Sequence, residues 1–220
     1  MSNVLKSIGL DYYVLKDNLK MFLAIAYVLG IVIGSFTKSP YITVPIVMIL
    51  SALSSGTFFS IYERNNLSKL YGSLPLRKND VVIGRYLFTL IYGVINWIVS
   101  VALALIFLFY VDKGVTDTTF MVYISVSFFY FCLFVGVSFP IYFKYGFSKA
   151  YIYTSLPFYF IFIIGLIISR NANFAANLKQ IVQYFTDNPA MIWVIGIGLG
   201  LIIIGISTFI SSKIYKKSDL

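Results

Sequence analysis

Residues 86–110 read YLFTLIYGVINWIVSVALALIFLFY, an uninterrupted run that contains no Asp, Glu, Lys or Arg. A helix of about 20 apolar residues crosses the ~30 Å hydrocarbon core of a bilayer, so this stretch alone predicts a membrane span. Uncharged runs of similar character lie at about 21–37, 41–62, 118–143, 150–169 and 188–212. The sequence therefore predicts an all-α integral membrane protein, with six transmembrane helices in a single domain over 1–220.

The composition of the 220-residue chain agrees with this prediction, because hydrophobic residues make up 60% and charged residues only 11%. Soluble domains have about 45–50% apolar and about 25% charged residues. The chain has no His and a single Cys, which excludes a disulfide framework and a Cys/His metal site. Membrane enzymes and ion-coupled transporters need ionisable groups inside the membrane, and the predicted spans have none. We therefore expect no enzyme activity, no metal and no bound cofactor in this chain.

The orientation follows from the distribution of Lys and Arg. The net charge of +9 would suggest a nucleic-acid partner in a soluble protein. Here, 13 basic residues fall in the loops on the side of the two termini and 4 fall in the loops on the other side. Basic loops face the cytoplasm and its anionic lipid. Both termini are therefore predicted to be cytoplasmic, with membrane lipid and no nucleic acid as a partner.

Residues 1–20 precede the first span and have an apolar stripe at helical spacing. This stripe predicts an amphipathic helix lying on the inner leaflet, with charged residues on its other faces. A plain, positively charged leader is the alternative. The stripe consists of Val4, Leu5, Ile8, Tyr12, Leu15 and Leu19.

Two connections between spans also have helical periodicity. In the cytoplasmic segment 63–80, Leu67, Leu70 and Tyr71 share one helix face, and Gly72 and Pro75 end the pattern. This segment is predicted to contain a short cytoplasmic helix held between two spans. The outer segment 170–187 is too apolar for a free loop and too polar to span, so a re-entrant or interfacial helix is expected there.

Glycines recur at close spacing within two spans. Gly196, Gly198 and Gly200 superficially resemble a phosphate-binding loop, but they lie inside an apolar run with no preceding strand. Spacing of four residues, as in Gly196/Gly200 and Gly30/Gly34, is typical of close helix packing in lipid. We interpret these glycines as packing positions.

A few single residues in or near the spans invite a functional interpretation. Pro140 and Pro157 each remove a helical hydrogen bond, and each is either a hinge or a site of static packing. Asn96 is expected to form an interhelical hydrogen bond. Arg85, immediately before the uncharged run 86–110 and one turn into its helix, is expected to extend its guanidinium to the membrane interface.

One part of the sequence resembles a known family: ERNN at 63–66, SLPLRKNDVV at 73–82 and GRY at 84–86. These motifs resemble the ABC-2 type permeases. They are most similar to the membrane subunits of Pmt-type exporters of phenol-soluble modulins. The motifs cover about 24 residues, and the six-span layout extends the resemblance less specifically to the rest of the chain.

The resemblance implies a coupling helix that docks on a separate ABC ATPase subunit, which binds ATP and Mg²⁺. It also implies a second membrane subunit, identical or homologous, because one such chain does not enclose a transport path in this architecture. The implied contacts with the ATPase come from Glu63, Arg64, Asn65, Asn66, Lys69, Leu70 and Tyr71, followed by a turn at Ser73, Leu74 and Pro75.

The leading functional hypothesis is therefore the membrane subunit of an ABC exporter in the plasma membrane of a bacterium. By resemblance, its cargo would be amphipathic peptides of the phenol-soluble modulin kind or similar hydrophobic molecules. The alternative is an ATP-independent membrane module that confers immunity by binding a toxic peptide without moving it. Copurification of an ATPase subunit separates the two hypotheses.

Overall fold

A computed structural model of the chain describes residues 3–37, 40–65, 77–111, 118–154, 163 and 189–217. Within these ranges the regular elements are all helical, and a short 3-10 turn, Pro40–Ile42, precedes the second helix. The α-helices are α1 (Asn3–Phe36), α2 (Thr43–Ser55), α3 (Thr57–Arg64), α4 (Lys78–Val111), α5 (Thr118–Tyr145), α6 (Phe147–Thr154) and α7 (Pro189–Lys217).

Five helical stretches are long and apolar enough to cross a membrane, which confirms the prediction of an all-helical membrane protein. They are Asn3–Phe36, Thr43–Arg64, Lys78–Leu108, Phe120–Tyr145 and Met191–Lys217. The second stretch joins α2 and α3, which are separated only at Gly56. Most of the predicted span 150–169, all of the outer segment 170–187 and the coupling residues 66–76 lie outside the described residues.

Helix α1 merges two elements that the sequence analysis separates. It runs without a break from Asn3 to Phe36, so no helix end lies between the predicted surface helix and the first span. At 1.5 Å per residue the 34-residue helix is about 51 Å long, well beyond the ~30 Å of a hydrocarbon core. Residues 18–22 contain no Gly or Pro, so nothing in the local sequence ends a helix there.

The face of α1 that packs on the protein also differs from the predicted apolar stripe. In its first half the buried residues are Ser7, Asp11, Leu15 and Leu19, at a regular spacing of four. Leu15 and Leu19 belong to the stripe predicted to face the leaflet and are instead buried in the protein, whereas Leu5 and Tyr12 of that stripe are exposed. The polar pair Ser7 and Asp11 is therefore turned inward, towards α4.

Helices α5 and α7 run in the same direction, and their C-terminal ends meet the start of α4 at one side of the bundle. There, the ring of Phe143 near the end of α5 lies 5.4 Å from the ring of Tyr215 near the end of α7. The start of α4 lies at the same side, because the Arg85 guanidinium is within 5.8 Å of the Phe143 ring. We call this side the Arg85 end. At the opposite end, the Ser125 hydroxyl of α5 donates to the Ile192 carbonyl near the start of α7, at 2.7 Å.

Helices α5 and α7 approach each other closely through small residues. A Cβ atom at Gly136 would lie 2.5 Å from Ile203 Cγ2, and one at Gly200 would lie 3.1 Å from the Cys132 sulfur. A Cβ atom at Gly196 would overlap the Ser125 hydroxyl. In lipid, where apolar contact alone does not favour one partner over another, this close backbone approach supplies the packing energy of the pair.

On the α1–α2 side, Gly30 lies against Val47 and Thr43 of α2, and a Cβ atom at Gly30 would lie 2.8 Å from Val47 Cγ2. Gly34, one turn further along α1, is buried as well. Helix α5 is continuous through Pro140, whereas Pro157 lies outside the described residues.

Hydrogen bonds between side chains also join the spans. The Tyr27 hydroxyl of α1 donates to Asn96 Oδ1 of α4 at 2.7 Å, which is the interhelical bond expected of this amide. The hydroxyls of Ser54 in α2 and Tyr92 in α4 lie 2.8 Å apart. The Tyr86 hydroxyl lies 2.6 Å from Ser207 Oγ, which joins α4 to α7. In hydrocarbon each such group needs a protein partner, and these bonds supply it.

Candidate functional site

Arg85 carries a positive charge and yet is only 3% exposed, inside a candidate span. Its guanidinium carbon lies 4.9 Å from the ring centroid of Phe59, 4.4 Å from that of Tyr62 and 5.8 Å from that of Phe143. Aromatic faces stabilise a desolvated guanidinium electrostatically. Arg85 thus does not extend to the interface as the sequence analysis expected, since aromatic rings surround it inside the protein.

An acid from α1 completes this environment. Arg85 Nη2 lies 3.7 Å from Asp11 Oδ1, and Asp11 is 5% exposed. Burying either charge alone would be costly, and each lowers the cost of burying the other. We call Asp11, Phe59, Tyr62, Arg85 and Phe143 the Arg85 junction; it joins α1, α3, α4 and α5.

The ion pair is possible because α1 and α4 approach closely one turn away. A Cβ atom at Gly84 would lie 2.7 Å from Ser7 Oγ, 2.9 Å from Ser7 Cβ and 3.4 Å from the Val4 carbonyl oxygen. Only glycine permits this approach without displacing α1. Ser7 and Asp11 are one helical turn apart, so the same contact brings the Asp11 carboxylate to Arg85.

A second polar contact at this end joins α3 to α6. Glu63 Oε2 accepts hydrogen bonds from the backbone N–H groups of Phe147 at 2.9 Å and Ser148 at 3.0 Å. These N–H groups open α6 and have no partner within it, so a carboxylate suits them in both hydrogen bonding and charge. The turn is made by Gly146, whose φ of +75° ends α5 and whose N–H donates to the Tyr142 carbonyl at 2.9 Å.

The coupling residues predicted from the sequence are only partly described. Glu63, Arg64 and Asn65 are exposed where α3 ends, and the Asn65 N–H donates to the Ile61 carbonyl at 3.0 Å. The Glu63 carboxylate, predicted to contact an ATPase, is hydrogen-bonded within the chain. The remaining predicted residues, Asn66, Lys69, Leu70, Tyr71, Ser73, Leu74 and Pro75, lie outside the described residues.

Sequence reasoning missed Asp11 and the internal role of Glu63. Asp11 and Asp17 are both acids in the first half of α1, and only the tertiary contact with Arg85 distinguishes them. The available signal was the scarcity of acids, since the chain has 8 Asp and Glu residues in all. In a chain this apolar, each acid near a span is a candidate partner for a basic residue.

The Glu63→Ala substitution should loosen the start of α6. Loss of a capping side chain typically costs about 1 kcal/mol, so we expect a modest decrease in thermal stability. The decisive measurement is amide hydrogen exchange, which should accelerate at Phe147 and Ser148. Arg64→Ala, an exposed change one residue away, is the control and should leave exchange at α6 unchanged. Unaltered exchange in Glu63→Ala would contradict the capping role.

The arrangement as a whole connects the ends of several helices at one side of the bundle. Among the described residues, no group of three or more His, Cys, Asp or Glu side chains could hold a metal ion. The charges of Asp11 and Arg85 are paired, aromatic rings surround the Arg85 guanidinium, and the pair connects α1 to α4. The last residues of α3 and the first turns of α4 flank residues 66–76, and both make contacts with other helices at this side of the bundle.

Comparison with models of known protein families gave a match over most of the chain. A sequence model described as ABC-2 family transporter protein matches residues 8–216, nearly the whole chain. Comparison with curated proteins and with solved structures gave no significant match. The match includes all five candidate spans except the first residues of α1 and the last residue of α7. The chain therefore belongs to the ABC-2 family of transporter proteins and is a multi-pass membrane component of an ABC transporter.

Proposed function

We propose that the chain is the membrane subunit of an ABC exporter, which couples ATP hydrolysis in a separate ATPase subunit to the export of amphipathic peptides or similar hydrophobic cargo. ATP and Mg²⁺ would bind to the ATPase subunit. The transporter would lie in the plasma membrane of a bacterium, with both termini of this chain in the cytoplasm.

The observation that supports this proposal is the packing of the helix ends on either side of residues 66–76. On one side, Glu63 at the end of α3 is bonded to the start of α6. On the other side, Arg85 near the start of α4 is enclosed by rings from α3 and α5. A segment held at both ends by packed helices transmits a rigid-body push to them, whereas a segment with free ends absorbs it. This is the property that a coupling helix requires.

A sixth span is supported by the positions of the flanking helices. Helix α6 begins at the Arg85 end, where Glu63 caps it. Helix α7 begins at the opposite end, where Ile192 accepts the bond from Ser125. A span over the apolar run at 150–169 would be long enough to connect these two ends.

A hydrophobic cargo is compatible with the surfaces of the spans. Helices α1, α4 and α7 expose large apolar side chains along their length, such as Val28, Ile98 and Ile202. An amphipathic peptide can move along such surfaces with its apolar face in contact. A second membrane subunit, identical or homologous, would use part of the same surfaces to enclose the path.

The proposal is tested by purifying the chain together with its ATPase subunit. If Leu70 is buried against the ATPase, Leu70→Asp should lower the amount of copurified ATPase by tenfold or more, since burying a Leu-sized side chain contributes about 1.5–3 kcal/mol. The amount of membrane-inserted chain should not change. Lys217→Asp adds a negative charge at the exposed end of α7 and is the matched control. Equal retention in both variants, together with equal cargo efflux, would rule out this coupling segment.

A transport assay separates export from ATP-independent immunity. Cells expressing the chain and an ATPase subunit with an inactivated nucleotide site should accumulate an added amphipathic peptide, whereas the active pair should expel it. If the inactive pair protects cells from the peptide as well as the active pair does, the immunity module is the correct function.

Labelling of single cysteines tests the orientation. In a Cys132→Ser background, an impermeant thiol reagent should label Val115→Cys in intact cells and should not label Ser68→Cys. The reason is the charge bias of the loops, which places residue 68 inside and residue 115 outside. The reverse pattern would overturn the proposed orientation without affecting family membership.

A further inference from the structure

The N-terminal half of α1 is attached to the rest of the protein by contacts of two kinds. Leu15 and Leu19 provide apolar contacts and Ser7 packs closely against Gly84, whereas Asp11 provides an ion pair with Arg85. Lipid chains are as apolar as leucine, so in or near a bilayer the leucine contacts do little to choose between protein and lipid. The charge of Asp11 does favour the protein over lipid, because its buried partner, Arg85, belongs to the protein.

The opposite side of this half-helix carries residues of the kind that lie at membrane interfaces. Tyr12 and Tyr13 are exposed, and the Lys16 ammonium lies 4.5 Å from the centre of the Tyr13 ring. Tyrosine and lysine are the residues that anchor helices at lipid headgroups. These residues would favour the membrane interface, whereas Ser7 and Asp11 on the other side of the half-helix face α4.

Arg85 is the point at which this half-helix meets the ends of the coupling segment. Its side chain contacts Asp11 of α1 and the rings of Phe59 and Tyr62 in α3. The residue itself lies in α4, two turns after Lys78. A displacement of α3 or α4 at their coupling ends must therefore move the guanidinium, and with it the carboxylate of Asp11.

We propose that the Asp11–Arg85 ion pair is a positioning contact that makes the N-terminal half of α1 move together with the start of α4, so that force entering through 66–76 reaches the first span. This inference rests on the proposed function. Without the pair, α1 would stay with the lipid while α3 and α4 move, and ATP would be hydrolysed with less transport.

The test uses the complete transporter, with its ATPase subunit, reconstituted in lipid vesicles. Asp11→Asn removes the charge with little change in volume and should lower the amount of cargo moved per ATP hydrolysed by about fivefold or more, the lower range of ordinary coupling effects. The rate of ATP hydrolysis and the amount of bound ATPase should change little. Asp17→Asn, an exposed change on the same helix, should leave the ratio unchanged.

A double-mutant cycle shows whether the two residues act through each other. Arg85→Gln alone should lower the ratio as Asp11→Asn does, and the double variant should be no worse than either single one. Additive losses would overturn the proposal. So would a parallel decrease of transport and ATP hydrolysis with an unchanged ratio, because a merely structural pair would produce that result.

A second measurement keeps the ion pair intact and is decisive even if the charge variants do not fold. Spin labels at Tyr13→Cys and Ile83→Cys, both exposed positions, report the distance between α1 and the start of α4 in a Cys132→Ala background. The distance should be the same in the ATP-free and ATP-bound transporter. A shift between the two states would show that α1 and α4 move separately and would overturn the inference. If the wild-type chain does not copurify with an ATPase subunit, that result would instead contradict the proposed function itself.

Discussion

The Gly196→Val substitution should lower the stability of the protein far more than Gly198→Val, although the two glycines lie two residues apart in α7. A Cβ atom at Gly196 would overlap the Ser125 hydroxyl and lie 3.1 Å from the Ser125 carbonyl oxygen. At Gly198 nothing lies within 4 Å of that position. Overpacking of this kind typically costs about 1–3 kcal/mol, and the added methyl groups of valine push the cost towards the upper value.

The clash at Gly196 also disturbs a hydrogen bond. The Ser125 hydroxyl that would be displaced donates to the Ile192 carbonyl at 2.7 Å. Thermal unfolding in detergent should therefore show a large decrease for Gly196→Val and a small change for Gly198→Val. The double change Gly196→Ala with Ser125→Ala should be more stable than Gly196→Ala alone, because the overlapping oxygen is gone. Similar unfolding temperatures for the two valine variants would mean that α5 and α7 are not in this close contact.

The existence of the described spans could be predicted from the sequence because one physical requirement dominates it. A helix in hydrocarbon satisfies its own backbone, and its side chains have to be apolar over about 20 residues. The run at 86–110 meets this requirement by itself, and α4 contains the whole of it. The four-residue spacing of Gly196 and Gly200 also predicts close helix packing, because glycine at both positions lets another helix approach the backbone.

The boundary at residue 20 could not be predicted in the same way. Charged residues mark where a span leaves the hydrocarbon, but a helix can continue into the headgroup region, where water satisfies exposed polar groups. The lysines before Met21 therefore mark a change of environment along α1 and not an end of the helix. A Gly or Pro at that point would have been needed to predict a break.

The contacts of the Arg85 junction could not be predicted from the sequence for a different reason. An arginine near the end of a span either extends to the interface or finds an internal partner, and both outcomes fit the same local sequence. The choice depends on residues distant in the chain, Asp11 and Phe143, which α1 and α5 bring together. Glu63 is a similar case, because its partners are N–H groups that exist only once α6 has formed.

The aromatic wall of the junction leads to the second large effect that we expect. Phe59 is buried and is surrounded by three other rings, with centroids 4.9 Å away at Phe139 and 5.0 Å away at both Tyr142 and Phe143. The guanidinium of Arg85 lies 4.9 Å from the Phe59 ring on another side. Phe59 therefore contributes both packing and electrostatic stabilisation to the junction.

Phe59→Ala should accordingly be among the most destabilising single changes in the chain. Removal of a buried Phe ring costs about 3–5 kcal/mol in water-soluble cores. Part of that cost is transfer from water, which is smaller for a residue whose alternative surroundings are lipid, so the lower value is the better expectation for packing alone. The loss of an aromatic face for Arg85 adds to it.

Phe59→Leu should recover much of the packing but not the contact with the guanidinium, and should therefore fall between wild type and Phe59→Ala in thermal unfolding. Phe36→Ala, at a ring that is 85% exposed, is the control for loss of a phenyl group without loss of packing. If Phe59→Leu is as stable as wild type while Phe59→Ala is not, then packing alone holds the junction together, and the ring contributes nothing to the burial of Arg85.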